Sequence, residues 1–380
     1  MTVHSHSTED ALPTLKVLVL DGSPYNRGLV HGNTMRDQIH RLLVSWKAAF
    51  ADHLRIDADV FIKRFLSRTD FVSAMKRWTP ELLEEVKGIA DGAGVDFDTM
   101  LVYQFADEYI VNGKAISQDR CSSVGFSTKG NQPSVVAQNM DIESYADGFQ
   151  LVLHITHPAF DLESYVLTLA GCIALNGMNN KAIGICCNAL TQLSNCRDGL
   201  PVACIVRGVL QQSTEDDSIA FLHRIKHASG QNYVIGGPGN VHSFECSAGT
   251  ISRFKPNGRE DVVWHTNHPL VNDDYIPEYR SLLESRADMN LKEPNTRTRL
   301  ESLERRMTAK QETWGFDLVK KALSSRDSME YPVCRRKGSQ YAFTFASTIM
   351  VLAEEPEFHV APGPPDITPY EKLSFLRRSK

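Results

Sequence analysis

The first hundred residues place apolar side chains at the three-to-four residue intervals of amphipathic helices. Ser23 is suited to cap the first of these helices, and Pro24 to occupy its first position. A Thr79-Pro80 pair opens a later helix in the same way, and a glycine near residue 92 or 94 closes it. The helical stretches that this pattern predicts are 24–54, about 58–78, 80–94 and 97–111.

The pattern changes near Cys121, where short runs rich in Val, Ile and Leu alternate with turn residues, as in a series of strands. The predicted strands are 134–140, 150–156, 163–169, 182–190, 233–235, 242–245, 262–266 and 343–352. Helical spacing returns at 200–212 and 218–225, while 273–321 is polar and predicts helices with exposed faces. The Pro-rich tail after Glu355 predicts a loosely ordered segment. This succession predicts a layered α+β architecture, and the absence of a linker makes one domain the default.

Bulk composition narrows the class of protein. The chain has 380 residues, of which 42% are hydrophobic, and these suffice for a large core. A net charge of −5 argues against a nucleic-acid binder. No run of about 18 apolar residues predicts a membrane helix. The polar segment 1–12 lacks the apolar core of a signal peptide, so we expect a cytoplasmic protein.

Eight cysteines are too few for a disulfide scaffold in a chain of this length, and none shows Cys-x-x-Cys spacing. They are Cys121, Cys172, Cys186, Cys187, Cys196, Cys204, Cys246 and Cys334. Most lie in apolar runs and are predicted to be buried and reduced. Cys121 differs because it lies where the helical region meets the first strand.

Several short motifs along the chain are each weak evidence for a protein family. Their shared order and spacing, however, are specific. The motifs are Gly22-Ser23-Pro24-Tyr25 with Gly28 and His31-Gly32; Pro80 with Glu84-Glu85 and Gly88-Ile89-Ala90-Asp91-Gly92; Cys121-Ser122-Ser123; Gln138-Asn139-Met140-Asp141; Gly171 to Gly184 with Asn188-Ala189-Leu190; Phe244-Glu245-Cys246-Ser247; His265-Thr266-Asn267-His268; and Tyr331-Pro332-Val333-Cys334-Arg335. Together they resemble the acyl-CoA:6-aminopenicillanate acyltransferase family, the isopenicillin N acyltransferase-like proteins among the self-processing N-terminal nucleophile (Ntn) hydrolases. The resemblance runs from about Leu18 to Leu352.

The resemblance implies a four-layer αββα sandwich, with two antiparallel sheets between helical layers. It also implies that the chain is a zymogen that cuts itself at Arg120–Cys121. The helical segment 1–120 and the catalytic segment 121–380 would then remain associated as one structural domain. Where the family usually carries glycine before the nucleophile, this chain has Arg120.

Cys121 would be the nucleophile. A cysteine thiol has a pKa of about 8.5 and an α-amine one of about 7.7–8.0, so the new terminal amine can accept the proton of its own thiol. The resulting thiolate can attack an amide or thioester carbonyl. No histidine base is then required, and we interpret His265 and His268 as structural.

The resemblance assigns further residues to the site. It places Asp141 beside Cys121, where a carboxylate would hold the new ammonium group, and Asn267 where a side-chain amide would stabilise the oxyanion. Asn188 would hydrogen-bond the substrate or the α-amine, and Ser247 would lie near the processing site. Arg335 would pair with a carboxylate, for which Glu245 is a candidate, and we interpret it as structural. Phe345 stands where some members have an arginine, so recognition of a substrate carboxylate is not implied.

The function predicted is cleavage of an amide bond in a small N-acylated molecule through a Cys121 thioester. Water as the acceptor gives a hydrolase, the favoured alternative; an amine acceptor gives an N-acyltransferase with acyl-CoA as co-substrate. An unprocessed binding protein with the same fold is the alternative from another class. We expect no metal or cofactor and no nucleic-acid or membrane partner. The sequence is compatible with a homo-oligomer.

Overall fold

The computed structural model describes residues 14–112, 121–157, 161–285, 288–309, 315–338 and 342–375. The strands are β1 (Val17–Leu20), β2 (Ser122–Phe126), β3 (Ser134–Glu143), β4 (Gln150–His157), β5 (Leu162–Leu169), β6 (Asn176–Asn179), β7 (Gly184–Ala189), β8 (Gln231–Gly236), β9 (Val241–Cys246), β10 (Ile251–Phe254), β11 (Val262–His265), β12 (Ala342–Leu352), β13 (Glu357–Ala361) and β14 (Glu371–Ser374). The helices are α1 (Pro24–Thr34), α2 (Arg36–Leu54), α3 (Ala58–Leu66), α4 (Phe71–Trp78), α5 (Pro80–Ala93), α6 (Phe97–Tyr103), α7 (Ala106–Asn112), α8 (Val202–Leu210), α9 (Glu215–Arg224), α10 (Pro277–Glu284), α11 (Met289–Lys292), α12 (Pro294–Thr308) and α13 (Phe316–Leu323).

The strands form two sheets. The first has the order β1-β4-β5-β6-β7-β8-β9-β10 and the second the order β11-β2-β3-β12-β13-β14. Neighbouring strands are antiparallel except β1 and β4, which are parallel. Most central strands are buried on both faces, which explains why they read as continuous apolar runs rather than as alternating ones.

The two sheets stack face to face, and helices cover their outer faces. Strand β3 packs on β7 and β8, helix α8 packs on β6 and β7, and helices α12 and α13 pack on the second sheet. Gln138 joins the sheets inside the sandwich, since its side-chain amide donates to the Cys187 carbonyl and accepts a 2.7 Å bond from Asn176. The predicted αββα sandwich is confirmed. No helix within the described residues is long and apolar enough to cross a membrane.

Helices α1 and α5 touch backbone to backbone, which accounts for the glycines in the two N-terminal motifs. A Cβ atom on Gly28 would lie 1.9 Å from the carbonyl oxygen of Glu85, and one on Gly88 would lie 2.1 Å from that of Tyr25. Ser23 caps α1 as predicted, by accepting a bond from the Asn26 N–H at 3.3 Å. Close contact between the two helices therefore requires glycine at these positions.

A buried charge cluster joins this helical layer to the part of the chain that follows Cys121. Both carboxylate oxygens of Glu85 accept bonds from Arg207 on α8, at 2.6 and 2.9 Å, and Arg27 lies 3.3 Å away on the other side. Burial opposes ionisation of Glu85, but the Arg207 and Arg27 guanidiniums outweigh it and lower the pKa of its carboxyl. The cluster ties residues before Cys121 to residues after it.

Removing the carboxylate from this cluster is expected to destabilise the protein strongly. Glu85→Gln leaves two buried guanidiniums without their counter-charge, so the free energy of unfolding should fall by about 3–5 kcal/mol. Glu84→Gln is the matched control, because Glu84 is an exposed carboxylate on the same helix and its loss should cost about 0.5 kcal/mol or less. Urea titrations of the three proteins measure both values; equal losses would contradict a special role for the cluster.

The sequence interpretation was wrong in several places. The stretches 24–54 and 58–78 are each divided into two helices, α1 with α2 and α3 with α4. Residues Val17–Leu20 form the edge strand β1, because β4 offers them a parallel partner. The segment 97–111 is broken into α6 and α7 near Gln104, whose amide bonds the Gly171 carbonyl. The tail after Glu355 is ordered as far as residue 375, because β13 pairs with β12 and β14 with β13.

Candidate active site

Cys121 immediately precedes β2, which lies between the edge strand β11 and β3 in the second sheet. Its side chain is 5% exposed, and its Sγ lies 3.3 Å from Sδ of Met140 on β3. Its carbonyl oxygen accepts a 2.7 Å bond from Nη1 of Arg299. Two neighbouring strands and one arginine thus fix the position of Cys121. Arg120, the other side of the predicted cleavage site, lies outside the described residues.

Cys121 lines a cavity of about 110 Å³ between the second sheet and the helical layer. Met140 and Asp141 of β3 form part of one wall. The opposite walls come from residues 103–109, from the first turn of α8 and from the ends of β7 and β8. Two of the predicted site residues, Cys121 and Asp141, therefore line the same cavity.

Arg299 joins Cys121 to Asn267. This fully buried side chain on α12 donates through Nη1 to the Cys121 carbonyl and, at 2.9 Å, to Oγ of Ser122. Its Nη2 donates to Oδ1 of Asn267 at 3.0 Å, and its Nε donates to Oδ1 of Asn295 at 2.8 Å. The sequence analysis missed Arg299. The available signal was the spacing of Asn295, Thr296, Arg299 and Leu303 on one helix face, in a segment predicted to be exposed.

Asn267 follows β11 and is 4% exposed, with its side-chain amide held at both ends. Oδ1 accepts from Arg299, and Nδ2 donates to the carbonyl of Ala189, a cavity-lining residue, at 3.0 Å. Its backbone is held as well, because its N–H donates to Thr296 and its carbonyl accepts from Gln192. An amide nitrogen carries two hydrogens, so the bond to Ala189 leaves Nδ2 a second donor. Asn267 therefore lies directly behind the cavity wall.

Asp141 and Arg335 form a buried ion pair. Nε of Arg335 lies 3.4 Å from Oδ2 of Asp141, and both side chains are at most 1% exposed. Thr344, opposite Asp141 on β12, donates a 2.7 Å bond to Oδ1 of the same carboxylate. The suggested partner of Arg335, Glu245, was wrong. That carboxylate lies 2.8 Å from His265 and accepts the backbone N–H groups of residues 270–272.

Asn188 and Ser247 have different surroundings. Asn188 lies between the sheets, where its Oδ1 accepts a 2.6 Å bond from Ser123, two residues beyond Cys121. Its Nδ2 is buried and has no hydrogen-bond partner among the described residues. Ser247 lies in the turn after β9, where its hydroxyl donates to Asp274 at 2.6 Å. The contacts of Ser247 thus connect it to that turn rather than to Cys121.

The histidines of the His265-Thr266-Asn267-His268 motif make internal contacts. His265 bonds Glu245 and the Thr266 carbonyl, and Nδ1 of His268 lies 2.9 Å from Oγ1 of Thr296. Burial, together with the nearby Arg297 guanidinium, lowers the pKa of His268 to about 2. His268 is therefore a neutral, structural side chain at physiological pH.

Burial keeps the cysteines nearest the site protonated. It raises the pKa of the Cys172 thiol to about 12 and those of Cys186 and Cys187 well above the usual value. All eight cysteines are free thiols, of which Cys196 alone is only half-buried. Since the thiolate is the reactive form, these neighbours are poor nucleophiles at neutral pH.

Comparison with models of known protein families gives one match for this chain. Residues 127–361 match the model of the acyl-coenzyme A:6-aminopenicillanic acid acyl-transferase family. The chain belongs to this family.

Solved structures that are similar to the chain include an N-acylethanolamine-hydrolyzing acid amidase ortholog from Caenorhabditis elegans. It is 14% identical with a TM-score of 0.44, and the match covers 67% of this chain and 100% of the other. Two variants of conjugated bile acid hydrolase from Clostridium perfringens are 12% and 13% identical, with TM-scores of 0.41 and 0.43. Each of those matches covers 67% of this chain and 97% of the other.

Proposed function

We propose that the protein is a self-processing cysteine hydrolase that cleaves an amide bond of a small N-acylated molecule. The observation that carries this proposal is the position of Cys121 directly before β2, a strand paired on both sides, where Cys121 lines the cavity. Cleavage at Arg120–Cys121 would turn that residue into a chain terminus inside the cavity. Segment 1–120 would then be the helical chain and 121–380 the catalytic chain, in a protein that we expect to be cytoplasmic.

The terminal amine of Cys121 supplies the base. It accepts the thiol proton, and the thiolate attacks the substrate carbonyl carbon to form a tetrahedral oxyanion. Collapse of this intermediate breaks the C–N bond, and the leaving amine takes the proton from the ammonium group. Water, deprotonated by the same α-amine, then attacks the thioester and releases the carboxylic acid and the Cys121 thiol. Asp141, which lines the same cavity, would orient the ammonium form of the terminus.

Asn267 and Arg299 have separate roles in this scheme. The second hydrogen on Nδ2 of Asn267 is the donor that would stabilise the oxyanion at the cavity wall. Arg299 is a positioning residue, because it binds the Cys121 carbonyl and Oδ1 of Asn267 with the same guanidinium group. It keeps Nδ2, rather than Oδ1, on the side of Ala189 and the cavity.

The charge of the cavity supports water rather than acyl-CoA as the second substrate. Four carboxyl groups line it, and the described part of its lining contains no lysine, arginine or histidine. Coenzyme A carries several phosphate groups, which proteins bind with arginine, lysine or helix N-termini. The N-terminus of α8 lies in the wall, but Glu108 already accepts its Val202 N–H. The hydrolase alternative is therefore favoured over the acyltransferase.

The intact mass of the purified chain tests the proposal. We expect two polypeptides of 120 and 260 residues that elute together from a sizing column under native conditions. The shorter one should end in Arg120 and the longer one should begin with Cys121. An intact 42.5 kDa chain in a preparation that hydrolyses amides would rule out self-processing at this bond.

A further inference from the structure

Two glutamines line the cavity, Gln104 and Gln231, and their side-chain amides differ in their partners. The nitrogen of Gln104 donates to the carbonyls of Met100 and Gly171, each at 2.9 Å. Its oxygen accepts the Ile173 N–H at 3.0 Å. In Gln231, which is 1% exposed, neither the oxygen nor the nitrogen has a hydrogen-bond partner among the described residues. The protein thus satisfies one amide of the cavity wall and leaves the other unpaired.

An unpaired amide in this wall lowers the stability of the free protein. Polar atoms that leave water without gaining a new partner lose their hydrogen bonds to solvent, whereas an apolar side chain of the same size would lose none. Packing alone therefore favours an apolar residue at position 231. A ligand in the cavity can supply the missing partners, since the terminal torsion of glutamine is broad and lets the amide plane turn toward it.

Strand pairing places Gln231 beside the position where the oxyanion would form. Gln231 on β8 lies opposite Ala189 on β7, and such cross-strand partners project from the same face of a sheet with Cβ atoms about 4.5–5.5 Å apart. Asn267 approaches Ala189 from behind the wall, where its Nδ2 donates to the Ala189 carbonyl at 3.0 Å. The amides of Gln231 and Asn267 therefore lie at one part of the wall, in a cavity that Cys121 also lines.

The reacting amide changes shape when the thiolate attacks it. In a trans amide the C=O and N–H groups point in opposite directions, and the partial double bond holds them there, so a single side-chain amide contacts only one of them. During the attack an S–C bond forms, the π electrons of the C=O bond move to the oxygen, and the C–N bond becomes a single bond that can rotate. The tetrahedral intermediate can then present its O⁻ and its N–H to the same side chain.

We infer that Gln231 binds this tetrahedral intermediate through both atoms of its side-chain amide. Nε2 donates to the oxyanion beside Asn267, and Oε1 accepts the N–H of the departing amine. The two bonds form together only after the attack, so they stabilise the transition state more than the substrate. Gln231 is thereby a further catalytic residue, in an inference that rests on the proposed function. An ester, which has no N–H, gains only the bond from Nε2.

Gln231→Met tests this role in the processed enzyme, and Gln104→Met is the matched control. Each substitution removes one side-chain amide from the cavity wall and leaves an unbranched side chain of similar length. Gln231→Met removes unpaired atoms, so its thermal midpoint should equal that of the wild type or exceed it by about 2 °C. Gln104→Met removes hydrogen bonds to three backbone groups, so its midpoint should fall.

Two substrates measure the catalytic effect. Butanoyl p-nitroanilide and p-nitrophenyl butanoate carry the same acyl group on an amide and on an ester. For the anilide, Gln231→Met should lower kcat/KM by about ten- to a hundred-fold, mainly through kcat, because hydrogen bonds made in the transition state are lost. The loss for the ester should be several-fold smaller. Gln104→Met, compared per folded molecule, should leave the amide-to-ester ratio of kcat/KM unchanged.

The outcomes separate this inference from the proposed function. A midpoint that falls as far in Gln231→Met as in Gln104→Met would mean that the protein itself pairs with the Gln231 amide. Unchanged kcat/KM would mean that this amide binds water only, and equal losses for anilide and ester would exclude the bond to the departing amine. Each of these results overturns the inference and leaves the hydrolase intact. If the wild type hydrolyses neither compound, the proposed function fails, and the catalytic role of Gln231 fails with it.

Discussion

Cys121→Ala is expected to give a single 42.5 kDa chain without amide turnover, whereas the wild type is expected to give fragments of 120 and 260 residues. Self-cleavage and amide hydrolysis both need the thiol of this side chain as nucleophile. The thiol attacks the Arg120 carbonyl once, and it attacks a substrate carbonyl in every catalytic cycle. Because Cys121 heads β2, alanine removes only the sulfur and should leave the sheet intact. A denaturing gel and an amidase assay measure the two effects.

Matched variants sharpen the result for Cys121. Cys204→Ala removes a buried thiol on α8 that is not part of the cavity lining, and should preserve both cleavage and turnover. Cys121→Ser should retain some self-cleavage, which need happen only once per molecule, but lose most turnover. A serine hydroxyl is far less acidic than a thiol, so the α-amine activates it less well. Full turnover with serine would contradict chemistry based on a thiolate.

Alkylation tests the nucleophile without mutagenesis. Iodoacetamide should inactivate the processed wild type as Cys121 is modified, because the neighbouring thiols of Cys172, Cys186 and Cys187 are held protonated. Peptide mass spectrometry locates the modified residue. Loss of activity that follows modification of another cysteine, with Cys121 still free, would mean that the nucleophile has been misassigned.

The architecture was largely predictable because local patterns agreed with it. Helical spacing, the Ser23 cap and Pro24 placed α1 correctly, and runs of β-branched residues located most of the central strands. β1 was missed because a four-residue edge strand gains its stability from a distant partner, β4, which local spacing does not reveal. The order of the tail has the same cause, since β13 depends on pairing with β12.

Site residues that belong to a sequence motif were predictable. Charged residues that become buried only through tertiary contacts were harder to predict. Cys121 and Asp141 come from separate segments, and only the pairing of β2 with β3 brings them to one cavity. Arg299 lies in a strongly charged segment whose composition predicts an exposed helix. Its burial follows from the packing of α12 on β11 and β2, where polar groups on those strands need a donor. No local pattern identifies the partner of Arg335 either.

Asn267→Ala is expected to leave a folded protein that still processes itself but turns over about two to three orders of magnitude more slowly. A decrease in kcat of this size is typical of enzymes that lose a single side-chain hydrogen-bond donor to the oxyanion. Alanine also takes away an acceptor from Arg299, so the free energy of unfolding should fall by about 1–3 kcal/mol. Rates must therefore be compared per folded, processed molecule, with the thermal midpoint measured alongside.

Asn295→Ala is the control that separates oxyanion stabilisation from the positioning of Arg299. Asn295 also accepts a hydrogen bond from Arg299, at 2.8 Å through Nε. Neither asparagine is part of the cavity lining, but Asn267 bonds the carbonyl of the lining residue Ala189. The two variants should lose comparable stability, because each removes one buried acceptor from the same guanidinium. Only Asn267→Ala removes a donor near the reacting carbonyl, so its kcat should fall much further than that of Asn295→Ala. Equal losses of kcat would mean that both variants act by displacing Arg299, which binds the Cys121 carbonyl. Asn267 would then have no role in oxyanion stabilisation.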